Sequence, residues 1–299
     1  MRNAYRKYPL QDILGFDFPL DITLRIQSSI YNMTDSISAA KLAIYIVFAQ
    51  PALYCLFKHG KVGFLGWFYV QTFCVLRIVT GGIGLHGSNT STGSIILSSI
   101  GLSPLLLAAS GVLHEARRAT NPRLNRKLDV LLEIQYHTLV GIAMVLIIIS
   151  VINLQKGESV STMKILLKVA SALVALSWVL LVLWALWSLG KSRSTSIAGP
   201  VPSMSGGRLL LNGTLLTMPL TGLRLAYAIA FLQLKISDPT SGFLTSTAIE
   251  VCLNVVPEML VILILLVVGI KTRSLKREIH KLDTTFPTEQ GYEMPSQRE

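Results

Sequence analysis

Seven stretches of this chain are each long and apolar enough to form a helix that crosses a membrane. A hydrocarbon core of ~30 Å requires about 20 apolar residues in an α-helix. Such stretches fall at residues 36–57, 62–86, 93–113, 131–153, 165–189, 209–234 and 243–270. Lipid offers no partner for backbone N–H and C=O groups, so each stretch must close its own hydrogen bonds as a helix. The expected fold is all-α: a polytopic seven-transmembrane-helix bundle over residues 36–270. An N-terminal tail (1–35) precedes it, and a basic, then disordered, tail (271–299) follows. The third stretch is rich in Gly and Ser and suits a place inside the bundle.

Charge supports the same class. Only 14% of the 299 residues are charged, against about 25% for an average soluble chain. The net charge of +11 does not point to nucleic acid, because no soluble segment is large enough to fold around it. In a membrane protein such an excess sits in cytosolic loops that face anionic inner-leaflet lipid.

The loops also set the expected orientation. Odd-numbered loops and the C-terminal tail carry sixteen Lys and Arg, including Lys58, Arg117, Arg118, Lys191 and Lys271. The opposite side carries seven, including Arg2, Arg25, Lys156 and Lys235. The basic side is cytosolic, so the N-terminus is expected outside and the C-terminus in the cytosol. Two candidate glycosylation sequons, at Asn32 and Asn89, land on the predicted outer side. Arg2, Arg6 and Lys7 are not followed by the apolar core of a signal peptide, so the first helix is expected to act as its own insertion signal.

Three segments outside the spans carry a pattern. Apolar residues alternate from Phe18 to Ile26, a strand period, which leaves a short extended lid or a disordered tail as alternatives. Residues 191–207 are rich in Ser, Gly and Pro and read as a flexible connector. Residues 271–282 place Leu275, Ile279 and Leu282 on one face with basic flanks, as in a helix lying on the inner membrane surface. Cys55, Cys74 and Cys252 lie in apolar runs without metal-ligand spacing and read as small buried hydrophobes.

Ionisable residues within a membrane helix are costly and are candidates for function. Arg77, Arg224 and Glu250 fall within ~5 Å of one depth, counted at 1.5 Å per residue. Glu250, Asn254 and Glu258 recur every four residues and are expected on one face of the last helix. Pro257 frees a carbonyl one turn earlier and permits a kink there. The expectation is that Arg77 and Arg224 pair with Glu250 and Glu258. The pairing is either a static knot, the lining of an outward-opening ligand pocket, or a proton-coupled carboxylate. Glu133 and His137 are a second, local polar pair. Lys41 and Lys168 lie near helix ends and can snorkel.

Several local motifs carry a resemblance. These are Lys41-Leu-Ala-Ile-Tyr45, Pro51-Ala-Leu-Tyr54, Gly63-Phe-Leu-Gly-Trp67, Phe73-Cys-Val-Leu-Arg-Ile78 with Gly81-Gly82, Gly101-Leu-Ser-Pro-Leu105 and Leu113-His-Glu-Ala-Arg-Arg118. Together they resemble a family of uncharacterised integral membrane proteins of filamentous fungi, classed as a domain of unknown function. The resemblance spans roughly residues 36–280 and implies a fungal source and a seven-helix fold, but no activity, ligand or catalytic residue.

An enzyme is not expected. His59, His86, His114, His137 and His280 are divided between the two sides of the membrane in the predicted topology and cannot gather on one metal. No nucleophile motif, P-loop or dinucleotide fingerprint has a suitable setting. Neither a metal nor a cofactor is expected. The leading functional expectation is a receptor- or sensor-like protein that binds a small polar or lipid ligand. The alternatives are a transporter or lipid-translocating protein and a structural membrane protein. The expected partners are membrane lipids, and the expected location is the plasma membrane or an endomembrane.

Overall fold

A computed structural model of the chain describes residues 20–85, 101–121, 125–157, 159–197, 205–238 and 241–275. The described residues are helical almost throughout, with no strand among them. In chain order the elements are α1 (Leu20–Leu85), α2 (Leu102–Thr120), α3 (Arg126–Lys156), α4 (Val160–Ile197), α5 (Ser205–Ser237), the single turns α6 (Gly242–Thr245) and α7 (Thr247–Glu250), a π turn (Val251–Val255) and α8 (Val256–Lys271).

Among the described residues, five helices can cross a membrane by length and apolarity: Ser36–Leu85, Arg126–Lys156, Val160–Lys191, Ser205–Lys235 and Thr247–Lys271. The first is broken at Gly60, whose φ of 70° lies in the left-handed region that glycine enters without steric cost. The chain turns back there. A methyl at Gly81 would lie 3.1 Å from Leu42, and the Tyr45 and Phe73 rings meet at 5.8 Å, so the limb after Gly60 packs against the limb before it. A second turn follows α3. Gly157, at φ 75°, caps that helix through its N–H to Asn153 and Leu154, an ordinary glycine helix stop, and α4 packs back along α3.

The helix α2, 19 residues long, is buried along nearly its whole length and packs against α1, α3, α4 and α5. Small residues allow this. A methyl at Gly66 would lie 2.6 Å from the Val112 backbone, and one at Gly207 would lie 2.7 Å from Ala119, so the helix backbones come close, as small residues permit within membranes. α8 closes the bundle against α5 and α1. The core gathers Trp67, Phe73, Leu105, Leu106, Leu113 and Ile262. The outer faces are no less apolar: Phe57, Ile165, Leu216 and Trp187 are all more than half exposed. Apolar surface on that scale has lipid, not water, as its natural neighbour.

Several expectations are corrected. Residues 20–27 are helical and run on into α1; the strand period there is overridden by the helix that follows. α2 ends at Thr120 rather than at 113, because His114, Glu115 and Arg117 find buried partners and stay in the helix. Residues 191–197, read as flexible connector, continue α4. The last membrane helix starts at Thr247 rather than 243, because Ser246 accepts the Ile249 N–H and breaks the chain from α6. Cys252 is exposed rather than buried, unlike Cys55 and Cys74. Asn32 lies within α1. Asn89 and His86, residues 93–100 of the third stretch, the remainder of the connector from 198 to 204, and the tail beyond Leu275 lie outside the described residues.

Candidate functional site

Within the bundle, α1, α5 and α8 each bring one charged side chain to the same point. Arg77 donates through Nη2 to Glu258, and Arg224 Nε donates to the same oxygen, Oε1, at 2.5 Å. All three side chains are at least 92% buried. Aromatic rings hold the guanidinium groups: Arg77 stands over Phe73 at 5.1 Å and Arg224 over Tyr227 at 5.8 Å. Gly101, at the start of α2, leaves the space that the Arg77 guanidinium fills. A π turn ends at Val255, two residues before Pro257. Such a turn is the usual local answer where the regular hydrogen-bond ladder cannot continue, and proline removes one of its donors.

Two guanidinium groups and one carboxylate leave one positive charge in a buried place. A charge in this setting is tolerated where it is paired or faces a cavity. Two donors near it have no partner: Arg77 Nε, and the hydroxyl of Tyr45, whose ring packs on Phe73 beside Arg77. Asn254 Oδ1 is also without a partner.

Glu250 is not part of this group. Its carboxylate meets Lys41 Nζ at 2.7 Å, and its side chain is 42% exposed. The reason is the late start of the last helix. Beginning at Thr247 instead of 243 places Glu250 in the first turn, ~6 Å nearer the helix end at 1.5 Å per residue. Lys41, expected to snorkel, is its partner there.

A second buried knot was not anticipated. His59, beside the Gly60 break, has Nδ1 2.7 Å from Glu115 Oε1 and Nε2 2.9 Å from the Gly269 carbonyl. Trp67 Nε1 donates to Glu115 Oε2 at 3.0 Å. With a carboxylate on one nitrogen and a carbonyl on the other, the ring donates twice and carries a positive charge. Gly63 lies against the Glu115 carboxylate and Gly269 against the Trp67 ring, and a side chain at either would collide. The knot joins the turn of α1 to α2 and to the end of α8.

The pair Glu133 and His137 belongs to a larger set. His137 Nδ1 is 2.8 Å from the Glu133 carbonyl and 3.4 Å from its carboxylate. Ser110 Oγ lies 3.1 Å from Glu133 Oε1. Asp129, one turn earlier, is 2.7 Å from His114 Nδ1 and 2.8 Å from Arg117 Nη1. These are ion-pair separations, but the approach is too oblique for hydrogen bonds, so the four atoms remain unpartnered as donors and acceptors. Arg117, counted from the sequence as a loop charge, is 92% buried. No group of three or more His, Cys, Asp or Glu among the described residues is arranged to hold a metal ion.

Residues 31–275 match the model of a protein family whose description is a domain of unknown function, DUF7702. No curated protein and no solved structure matches the chain.

Proposed function

The chain belongs to that family of unknown function, and from its own geometry we propose a non-enzymatic, multi-pass membrane protein of receptor or sensor type. It recognises a small anionic ligand at Arg77, Glu258 and Arg224. The proposed topology has seven crossings, with the N-terminus outside and the C-terminus in the cytosol. The fold-back at Gly60 supports two crossings in the first long span. The buried α2 supports a third inside the bundle, and the basic loops support the orientation.

One observation carries the reading: two buried arginines share one carboxylate, which leaves a net positive charge and unpartnered donors on Arg77 and Tyr45. An anion supplies what the site lacks. The test is thermal unfolding of purified full-length protein in detergent, titrated with acetate, chloride or phosphate. A ligand that binds only the folded state stabilises it by RT ln(1 + [L]/Kd). Wild type is expected to gain stability with one of these anions and Arg224→Gln to gain none. An equal response in the two proteins sinks the reading.

A second reading, a transporter, is favoured by one specific feature. Ionisable groups recur away from Glu258: Asp129 and Glu133 are buried, and His137 is half-buried beside them. Solute uptake into liposomes that hold the purified protein tests it, and uptake equal to that of empty liposomes removes it.

A further inference from the structure

Among the described residues, eight of the twelve buried side-chain atoms without a hydrogen-bond partner lie in one place, between α2, α3 and α4. Asp129, Glu133 and His137 recur every four residues and stack along one face of α3, a rise of ~12 Å at 1.5 Å per residue. α2 faces them with Ser110, His114 and Arg117. α4 adds Trp184, whose ring lies 4.6 Å from the Arg117 guanidinium. From α1, the Tyr69 ring stands 5.3 Å from that of His137.

The unpartnered atoms are of both kinds. His114 Nδ1 and Arg117 Nη1 already face the two Asp129 oxygens at ion-pair distance, while Trp184 Nε1, a donor, and Glu133 Oε2, an acceptor, meet nothing. Asp129 is 2% exposed and Glu133 4%, so bulk water does not serve them. Buried polar atoms in native proteins find partners, and where donors and acceptors share one space the partner is ordered water. Ser110 has a single proton for two acceptors, Glu133 Oε1 and the Leu107 carbonyl. The His137 tautomer is also set. Nδ1 faces a backbone carbonyl, which only accepts, so Nδ1 holds the hydrogen and Nε2 remains the basic nitrogen.

We propose that Asp129, Glu133 and His137, with His114 and Arg117 facing them, hold a column of internal water that relays protons along α3. In the relay a water-borne proton passes to His137 Nε2, and the imidazolium so formed faces the Glu133 carboxyl group. Nε2 then gives the proton to the next water, which restores the neutral ring with its hydrogen on Nδ1, and that water passes the proton on to the Glu133 carboxylate. One proton changes place, nothing is oxidised or reduced, and no other reactant is consumed. The column shares no residue with the arginine pair on Glu258, so it stands or falls separately from the ligand reading.

Two measurements on the full-length protein in lipid nanodiscs test it. Hydroxyl radicals generated in place label residues that touch internal water. Tyr136, His137 and Trp184 are expected to be labelled several-fold faster than Phe73, which is buried in the dry core. Labelling no faster than Phe73 overturns the proposal. Infrared difference spectra between acid and alkaline pH, in H2O and in D2O, are expected to show a deuterium-sensitive carboxyl band. Glu133→Gln removes that band, and His137→Asn shifts the pH at which it changes. Spectra that both variants leave unchanged overturn the proposal even if labelling is found.

Discussion

Arg77 and Arg224, 147 positions apart in the sequence, donate to the same oxygen of Glu258. The arrangement ties α1, α5 and α8 together through one acceptor. Removing one partner of a buried ion pair costs about 3–5 kcal/mol, because the charge left behind has no compensation. Glu258→Gln leaves two such charges. It is expected to cost at least that much, read as unfolding free energy of the purified protein in bicelles. A loss below about 1 kcal/mol would mean that the arginines have other partners.

The knot at the Gly60 turn predicts a smaller, graded response. Glu115 accepts from both Trp67 and His59, and hydrogen bonds to charged groups contribute about 1.5–3 kcal/mol each. Glu115→Gln keeps the shape and one acceptor oxygen but loses the charge that faces His59. A loss of about 2–3 kcal/mol is expected in the same unfolding assay, with Trp67→Phe costing less. If Glu115→Gln is neutral, the positive charge assigned to the His59 ring is wrong.

The crossing of α1 and α2 predicts opposite signs for two glycines. A methyl at Gly111 would stand 2.5 Å from the Gly66 backbone, which cannot step aside, so Gly111→Ala forces the helices apart. Overpacking of this kind costs about 1–3 kcal/mol. Gly141, in α3, has nothing within 4 Å of the same position. Gly141→Ala is expected to gain about 0.5–1 kcal/mol from helix propensity. Thermal midpoints of the two variants, measured side by side, should move in opposite directions; movement in the same direction contradicts the packing described.

Part of this was legible in the sequence, for a plain physical reason. An arginine or glutamate in a long apolar run cannot be left unpaired in lipid, so Arg77, Arg224 and Glu258 stand out from composition alone. Glu250 misled because the apolar run starts at 243, whereas the helix starts after Ser246. Hydropathy marks where lipid begins, not where a side-chain cap restarts the backbone. By hydropathy His59, His114, Glu115, Arg117 and Asp129 fall between the apolar spans, because charge lowers local hydropathy. They are buried because they answer one another across helices that are distant in sequence. The one cheap signal was the position of Gly60 immediately after His59. A glycine between two apolar runs marks a tight turn, and a tight turn brings its neighbours against the bundle.

Lys41 and Glu250 supply the contrast. Their contact is short, 2.7 Å, but the side chains are 23% and 42% exposed. Exposed pairs contribute about 0.2–1 kcal/mol. Glu250→Gln is therefore expected to shift the unfolding free energy by less than about 1 kcal/mol. A loss like that expected for Glu258→Gln would return Glu250 to the buried site.

The most direct test of the account is the double variant Glu258→Gln with Arg224→Gln, compared with Glu258→Gln alone by unfolding free energy in bicelles. If one carboxylate is what makes two buried guanidinium groups tolerable, removing a guanidinium after the carboxylate relieves an uncompensated charge. The double variant is then more stable than the single one. If the two losses simply add, so that the double variant is the less stable, Glu258 is not the shared partner of Arg77 and Arg224, and the charged centre proposed to hold the ligand does not exist.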